Sequence, residues 1–262
     1  MYADSIVSTP LAAPVIAATR LRKGPANSAR GAAAFVAETI RTARASGARG
    51  LLVVRADSAF YGADVVNACR ALHARFSITV RMNASIKAAI ATIDENAWTA
   101  IKYPKAVWDE EGQCWISDAE IAETSYTAFT SRPKKQQVTA RLIVRRVKRL
   151  NPAALTEGQG TLFDTWRYHA AFTNSPLSLR DAERDHRRHA VVEQVIADVK
   201  NSAFAHAPSG HFQANAAWLA LAALAHNLIR AAGTLAGAFH AKAVTATIRA
   251  HLINVPARLA RS

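Results

Sequence analysis

The stretch HRRHAVVEQVIADVKN, residues 186–201, sets one carboxylate among basic groups. His186, His189, Glu193 and Lys200 stand at offsets of −7, −4, 0 and +7 from the glutamate, which on a helix turning ~100° per residue puts them in one narrow arc. A second acid, Asp57, closes the apolar run that begins at Leu51. The carboxyl end of a buried strand is where open α/β sheets tend to place ligands and catalytic groups. Taken singly, each acid has an ordinary role: Asp57, followed by Ser58, suits a turn or a helix cap, and Glu193 suits a solvated helix flank. Taken together, carboxylates from a strand end and a distant helix can hold a pair of hard divalent cations, Mg²⁺ or Mn²⁺, that activate an attacking oxygen and stabilise a leaving one. A phosphodiester would complete such a shell, and Lys200 could hold one of its phosphates.

These groups need elements to position them. Val192, Val195, Ile196 and Val199 recur at the i, i+3, i+4, i+7 spacing of a buried face, so helix is expected across 178–201, and again over 211–231 and 240–252. Residues 28–46 read as a helix stopped by Gly47 and Gly50. Leu51–Val54 is a continuous apolar run, the pattern of a strand covered on both faces. Residues 63–74 read as helix and 75–83 as a strand, with Phe76, Ile78 and Val80 alternating. From 84 to 176 the pattern changes to short strand-like pieces rich in valine, threonine and aromatics. Within it Val138, Ala140, Leu142 and Val144 share one strand face, and Arg145, Arg146, Lys148 and Arg149 make a basic end. The expected organisation is an irregular N-terminal remnant at 1–19, a first core segment at 20–83, a β-rich insertion at 84–176, and helices completing the core at 177–262.

Lys and Arg number 33 against 19 acids, a formal charge of +14; such an excess suits a polyanionic partner, nucleic acid first among them. Cys69 and Cys114 lack metal-ligand or framework spacing, so a reducing cytoplasm is expected. The apolar run Ala216–Ala225 is shorter than the ~20 residues of a bilayer span, and the N-terminus lacks the early basic residues of a signal peptide. No membrane or small-molecule cofactor is expected. No P-loop, GxGxxG after a strand, or GxSxG elbow points to another chemistry. The remaining histidines, His169, His206, His211, His226 and His240 among them, are spaced for packing rather than for a zinc cluster, and His226-Asn227 could satisfy buried backbone groups.

In order and spacing, RKGPANSARGAAAFV, LLVVRADSAFYG, RYHAAFTNSP, HRRHAVVEQVIADVKN and SGHFQANAAWLALAALAHNLIR resemble the bacterial insertion-sequence transposases with a group 1 DDE domain. The resemblance runs from about Thr19 to Gly233 and implies an α/β fold: an RNase H-like core with a β-rich insertion and C-terminal helices. It implies that Asp57 and Glu193 are catalytic metal ligands for Mg²⁺ or Mn²⁺. An intact relative would hydrolyse a DNA strand at the element end and join the freed 3′-hydroxyl to target DNA, in an oligomeric DNA complex. The family pattern around the glutamate, Tyr-x2-Arg-x3-Glu-x6-Lys, is met at Glu193 and Lys200, while His186 and His189 stand at the Tyr and Arg positions. Lys200, His186, His189, Arg187, Arg188, Arg145 and Arg146 are the expected DNA contacts. The family's first aspartate lies on a strand ahead of two further strands and the first helix; here Asp4 is the one aspartate before Asp57. The expectation is therefore an N-terminally truncated, inactive transposase, with a non-catalytic DNA-binding protein that interferes with an active transposase as the alternative.

Overall fold

The computed structural model describes residues 2–9, 13–22, 30–109, 114–148, 166–188, 191–202 and 205–256. They fall into two compact units, one built from residues 1–30, 35–49 and 190–262, the other from 31–34 and 50–189.

In the first unit, β1 (Tyr2–Val7) and β2 (Val15–Leu21) form an antiparallel hairpin whose register slips between Ser5 and Ile6. Residues 1–19, expected to be irregular, thus contribute a paired strand. A helix, α1 (Ala32–Ala45), buries Phe35, Val36, Ile40 and Ala43 along one stripe, as its helical spacing demands. Val195 and Val199 on α5 (Val191–Lys200) pack with Ile16 of β2 and with Leu219, Ala222 and Ala223 of α6 (Phe212–Ala236). Ile16 pairs with Ile6 beside the register slip, and Asn227 of α6 meets its backbone polar groups: the Asn227 amide donates to the Ile16 carbonyl at 2.8 Å and accepts from the Ile16 N–H at 2.9 Å. The backbone-satisfying role foreseen for this position therefore holds for Asn227. The chain closes with α7 (Ala238–Lys242) and α8 (Thr245–Ile248). Gly233 permits their approach to α6, since a Cβ there would stand 2.7 Å from the buried Ile248 side chain and 2.8 Å from the His240 carbonyl.

At 25 residues, α6 is long and apolar enough to cross a membrane by length and composition. One side of it is committed to the fold, while Leu221, Leu224, Leu228 and Leu235 are exposed. Buried His226 and Arg230 lie on it, and Asn227 grips a strand backbone through a two-way amide pair that a bilayer-facing helix would not offer.

The second unit is a six-stranded mixed sheet with strand order β3-β4-β8-β7-β6-β5. Its strands are β3 (Val53–Ala56), β4 (Arg75–Val80), β5 (Thr99–Asp109), β6 (Cys114–Ala128), β7 (Val138–Lys148) and β8 (Trp166–Thr173). β3 and β4 run parallel, joined by α2 (Ala63–Ala71), and every other pairing is antiparallel. Phe76 and Phe172, on paired strands β4 and β8, are fully buried with ring centroids 5.4 Å apart. Burial of a Phe side chain contributes roughly 1.5–3 kcal/mol.

The fold is α/β, as expected, with four differences in detail. The strand pieces expected between 84 and 176 belong to long strands continuous with the core sheet, because β8 pairs with both β4 and β7. A helix the sequence reading missed, α3 (Ala84–Ala91), precedes them, capped by the Asn83 side chain on the Ile86 N–H at 3.0 Å. The single helix expected over 178–201 is two, α4 (Leu179–Arg187) and α5. Among the described residues, β3 hydrogen-bonds to β4 alone, so this apolar strand is an edge rather than the doubly covered strand its composition suggested, and Leu51 beside it is 61% exposed.

Candidate functional site

Asp57 stands at the carboxyl end of β3, exposed, and its Oδ1 accepts from the Ala59 N–H at 2.9 Å, capping a one-turn 3-10 helix over Ser58–Phe60. The capping role considered for it is therefore real, and it coexists with the strand-end placement a ligand-binding carboxylate needs. Two residues earlier, Arg55 donates to the Asp185 carbonyl at 2.8 Å and to the Asp185 carboxylate at 3.1 Å, tying β3 to α4.

His186 makes a second tie. Its Nδ1 lies 2.9 Å from Ser77 Oγ and its Nε2 3.1 Å from Thr79 Oγ1, so both ring nitrogens are engaged with alternate residues on one face of β4. A ring held this way anchors α4 to the sheet. Glu183, one turn earlier on α4, is 4% exposed and carries two cations: Arg145 of β7 donates to it at 2.7 Å and Arg187 at 2.9 Å. Removing a carboxylate from such a pair leaves buried positive charge behind, which is why the group is held here.

Arg146 points to the opposite face of β7, as strand alternation requires. Its guanidinium lies 4.2 Å from the Trp98 ring centroid and 4.5 Å from that of Trp166. It donates through two nitrogens to Glu95 at 3.0 and 2.8 Å and through Nε to Glu120 at 2.5 Å. Its hydrogen bond and charge hold the Glu95 carboxyl below the ordinary carboxylate range. Of the arginines expected to meet DNA, Arg145, Arg146 and Arg187 each pair with carboxylates within this unit, because guanidinium groups this enclosed need internal acceptors. Arg188 is different, with a 63% exposed side chain and only a long 4.0 Å approach to Asp185.

Glu193 lies in the other unit. It sits exposed in the first turn of α5, roughly opposite the buried Val195–Val199 stripe, with exposed Lys200 seven residues on and so on the same side. The spacing that linked these two is preserved within one helix. The four-residue stripe is not: His186 belongs to α4, beyond the helix break, and His189 lies outside the described residues.

Asp4, set aside on sequence grounds, is on β1. Its Oδ1 is buried without a hydrogen-bond partner, and burial raises its pKa to about 6. The signal that could have flagged it was an acid inside the apolar alternation of a strand.

Exposed carboxylates are chemically suited to Mg²⁺ or Mn²⁺. Among the described residues, however, no group of three or more His, Cys, Asp or Glu side chains gathers in metal-holding geometry. Asp57 and Glu193 supply one oxygen-donor side chain to each unit.

Compared with known families, residues 12–262 match the model described as transposase DDE domain, group 1. No curated protein matches the chain.

Proposed function

We propose a role in DNA transposition for this chain, which belongs to the group 1 transposase DDE domain family. The observation that carries the reading is the coincidence of that family match with two exposed acids in suitable surroundings: Asp57 at a strand's carboxyl end and Glu193 on one helix side with Lys200. In this reading Asp57 and Glu193 are the residues that hold Mg²⁺ or Mn²⁺, which when bound supplies Lewis-acid stabilisation of a phosphodiester under attack. Lys200 and Arg188 bind DNA phosphates as point charge and fork respectively, the rest of the +14 surface tracks the backbone, and the working state is an oligomer on DNA in a bacterial cytoplasm. His189 remains a proposed contact. Arg145, Arg146, Arg187 and His186 act indirectly, by holding β7 and α4 in place. Functionally we keep the division into a core, residues 20–83 and 177–262, and a β-rich insertion, 84–176.

We further infer that this polypeptide alone does not cut DNA. A third acid ahead of α1 is what the family pattern calls for, and Asp4, the aspartate available there, has one carboxylate oxygen turned into a buried, cation-free setting. A protein that binds DNA without cutting it could occupy element ends against an active transposase. The buried setting of Asp4 favours this second reading. The test is nicking of supercoiled plasmid in Mg²⁺ or Mn²⁺ beside a mobility-shift titration in salt. Retained, salt-sensitive binding without nicking is expected. Robust nicking that Asp57→Ala or Glu193→Gln abolishes would overturn the inactivity while upholding the site; affinity indifferent to ionic strength would remove DNA as the partner.

A further inference from the structure

Within the first unit, α5, α6 and α7, with Ala13 and Pro14, border a partly open cavity of about 280 Å³. It is small beside the ~300–1,000 Å³ of typical ligand pockets, yet far above the ~10–15 Å³ one water requires. Polar groups from three helices line it: Gln194 and Asp198 of α5, His226 and Arg230 of α6, and Lys242 of α7.

Two of these are buried without full satisfaction. His226 is 5% exposed; neither ring nitrogen reaches full hydrogen-bonding geometry, and the Pro14 backbone is its one loose partner in the chain. Arg230 is 3% exposed; its two terminal nitrogens donate to the carbonyls of Ala243 and Ala241, and its Nε–H is left without an acceptor. Leaving such groups unpaired costs ~1–3 kcal/mol each, so native interiors rarely do it. The fold has thus set the His226 ring and the Nε–H of Arg230 facing a space that the chain itself does not fully satisfy.

The charges and donors decide what fits. Arg230 and Lys242 bring two cations against the single carboxylate of Asp198. That carboxylate is already occupied, accepting from the Thr245 N–H at 3.1 Å and the Thr245 hydroxyl at 2.7 Å. Burial holds the His226 ring below its ordinary pKa, so at neutral pH it offers one N–H and one lone pair. The lining is rich in donors and carries net positive charge.

We propose that this cavity is a binding site for a small oxyanion, a phosphate or carboxylate group, held by His226, the Nε–H of Arg230 and Lys242, with Gln194 as a fourth donor. The site is separate from the exposed side of α5 that bears Glu193. An anion seated there bridges α5, α6 and α7 and stiffens the helix that carries the glutamate.

Inorganic phosphate is the probe, titrated calorimetrically into the full chain against chloride at equal ionic strength, with thermal melts in parallel. Saturable binding and a raised Tm are expected. Lys242→Met, at an exposed position on α7, should weaken binding at least about tenfold without loss of fold, and His226→Phe, which keeps the ring volume, should abolish it. A linear, ionic-strength-like response in the unaltered protein would overturn the proposal, as would undiminished binding in both variants. A second arm identifies the source of the anion: displacement of phosphate by duplex DNA assigns the site to a DNA phosphate, and indifference to the duplex assigns it to a free anion.

Discussion

Arg146 separates two accounts of the basic residues on β7. If it serves the fold, Arg146→Ala lowers stability and leaves DNA binding per folded molecule alone; if it meets DNA, the reverse holds. The magnitude follows from its contacts. Stacking between Trp98 and Trp166 at 4.2 and 4.5 Å contributes ~0.5–1 kcal/mol per ring, and up to ~2 where desolvated. Glu120, on the neighbouring strand and mostly buried, loses its cation, a cost of ~1–3 kcal/mol. The sum is about 2–5 kcal/mol, or roughly 5–15 °C in Tm at ~2–4 °C per kcal/mol for chains of this size. The assay pairs thermal denaturation with the dependence of log K on log salt for a duplex oligonucleotide. Each phosphate contact adds ~0.9 to that slope, so Arg188→Ala and Lys200→Ala should each lower it by about 0.9 with little change in Tm, whereas Arg146→Ala should leave it unmoved. A stable Arg146→Ala protein with a slope reduced by about 0.9 would refute the assignment.

Two further outcomes follow from buried groups. Burial raises the Asp4 carboxyl from its ordinary 3.8 to about 6, so the folded state holds the proton more tightly than the unfolded state. This group's contribution is most favourable below pH ~4 and is lost as pH rises through about 6, a swing of up to ~3 kcal/mol. Asp4→Asn should therefore stabilise the protein by roughly 2–3 kcal/mol at pH 8 and by little near pH 4 in urea denaturation; an Asn variant less stable than the parent at pH 8 would contradict the sign. Asn227→Leu removes both bonds to the Ile16 backbone at 2.8 and 2.9 Å and should cost ~2–4 kcal/mol, with hydrogen exchange at the Ile16 amide accelerated to the same degree. Unchanged protection there would mean that Asn227 is not what shields the Ile16 amide.

What could be read from the chain, and what could not, divides along the range of the physical signal. The α1, β3, α2 and β4 elements were legible because each is carried by its own periodicity and its own stop signals, such as the alternation of Phe76, Ile78 and Val80. The pairing of Glu193 with Lys200 was legible for the same reason, since seven residues on one unbroken helix fix a side. The extension of that stripe to His186 does not hold, because α4 ends at Arg187 and α5 begins at Val191, a change that no glycine or proline in residues 186–193 announces. Nor could local sequence say which arginines face water. Arg145 and Arg146 are adjacent and identical in type, yet each is committed to a different face of β7 by acids 38 and 51 positions away, Glu183 and Glu95. A count of 33 basic residues therefore overstates the groups available to a polyanion, because several are paired with acids inside the fold; the net +14 already subtracts those acids. The same argument explains why the cavity beneath α5 was invisible in the sequence. Gln194, His226, Arg230 and Lys242 share no motif; they converge because Gly233 lets the chain's last helices return to α6, and the polar atoms left facing that space are a consequence of packing alone.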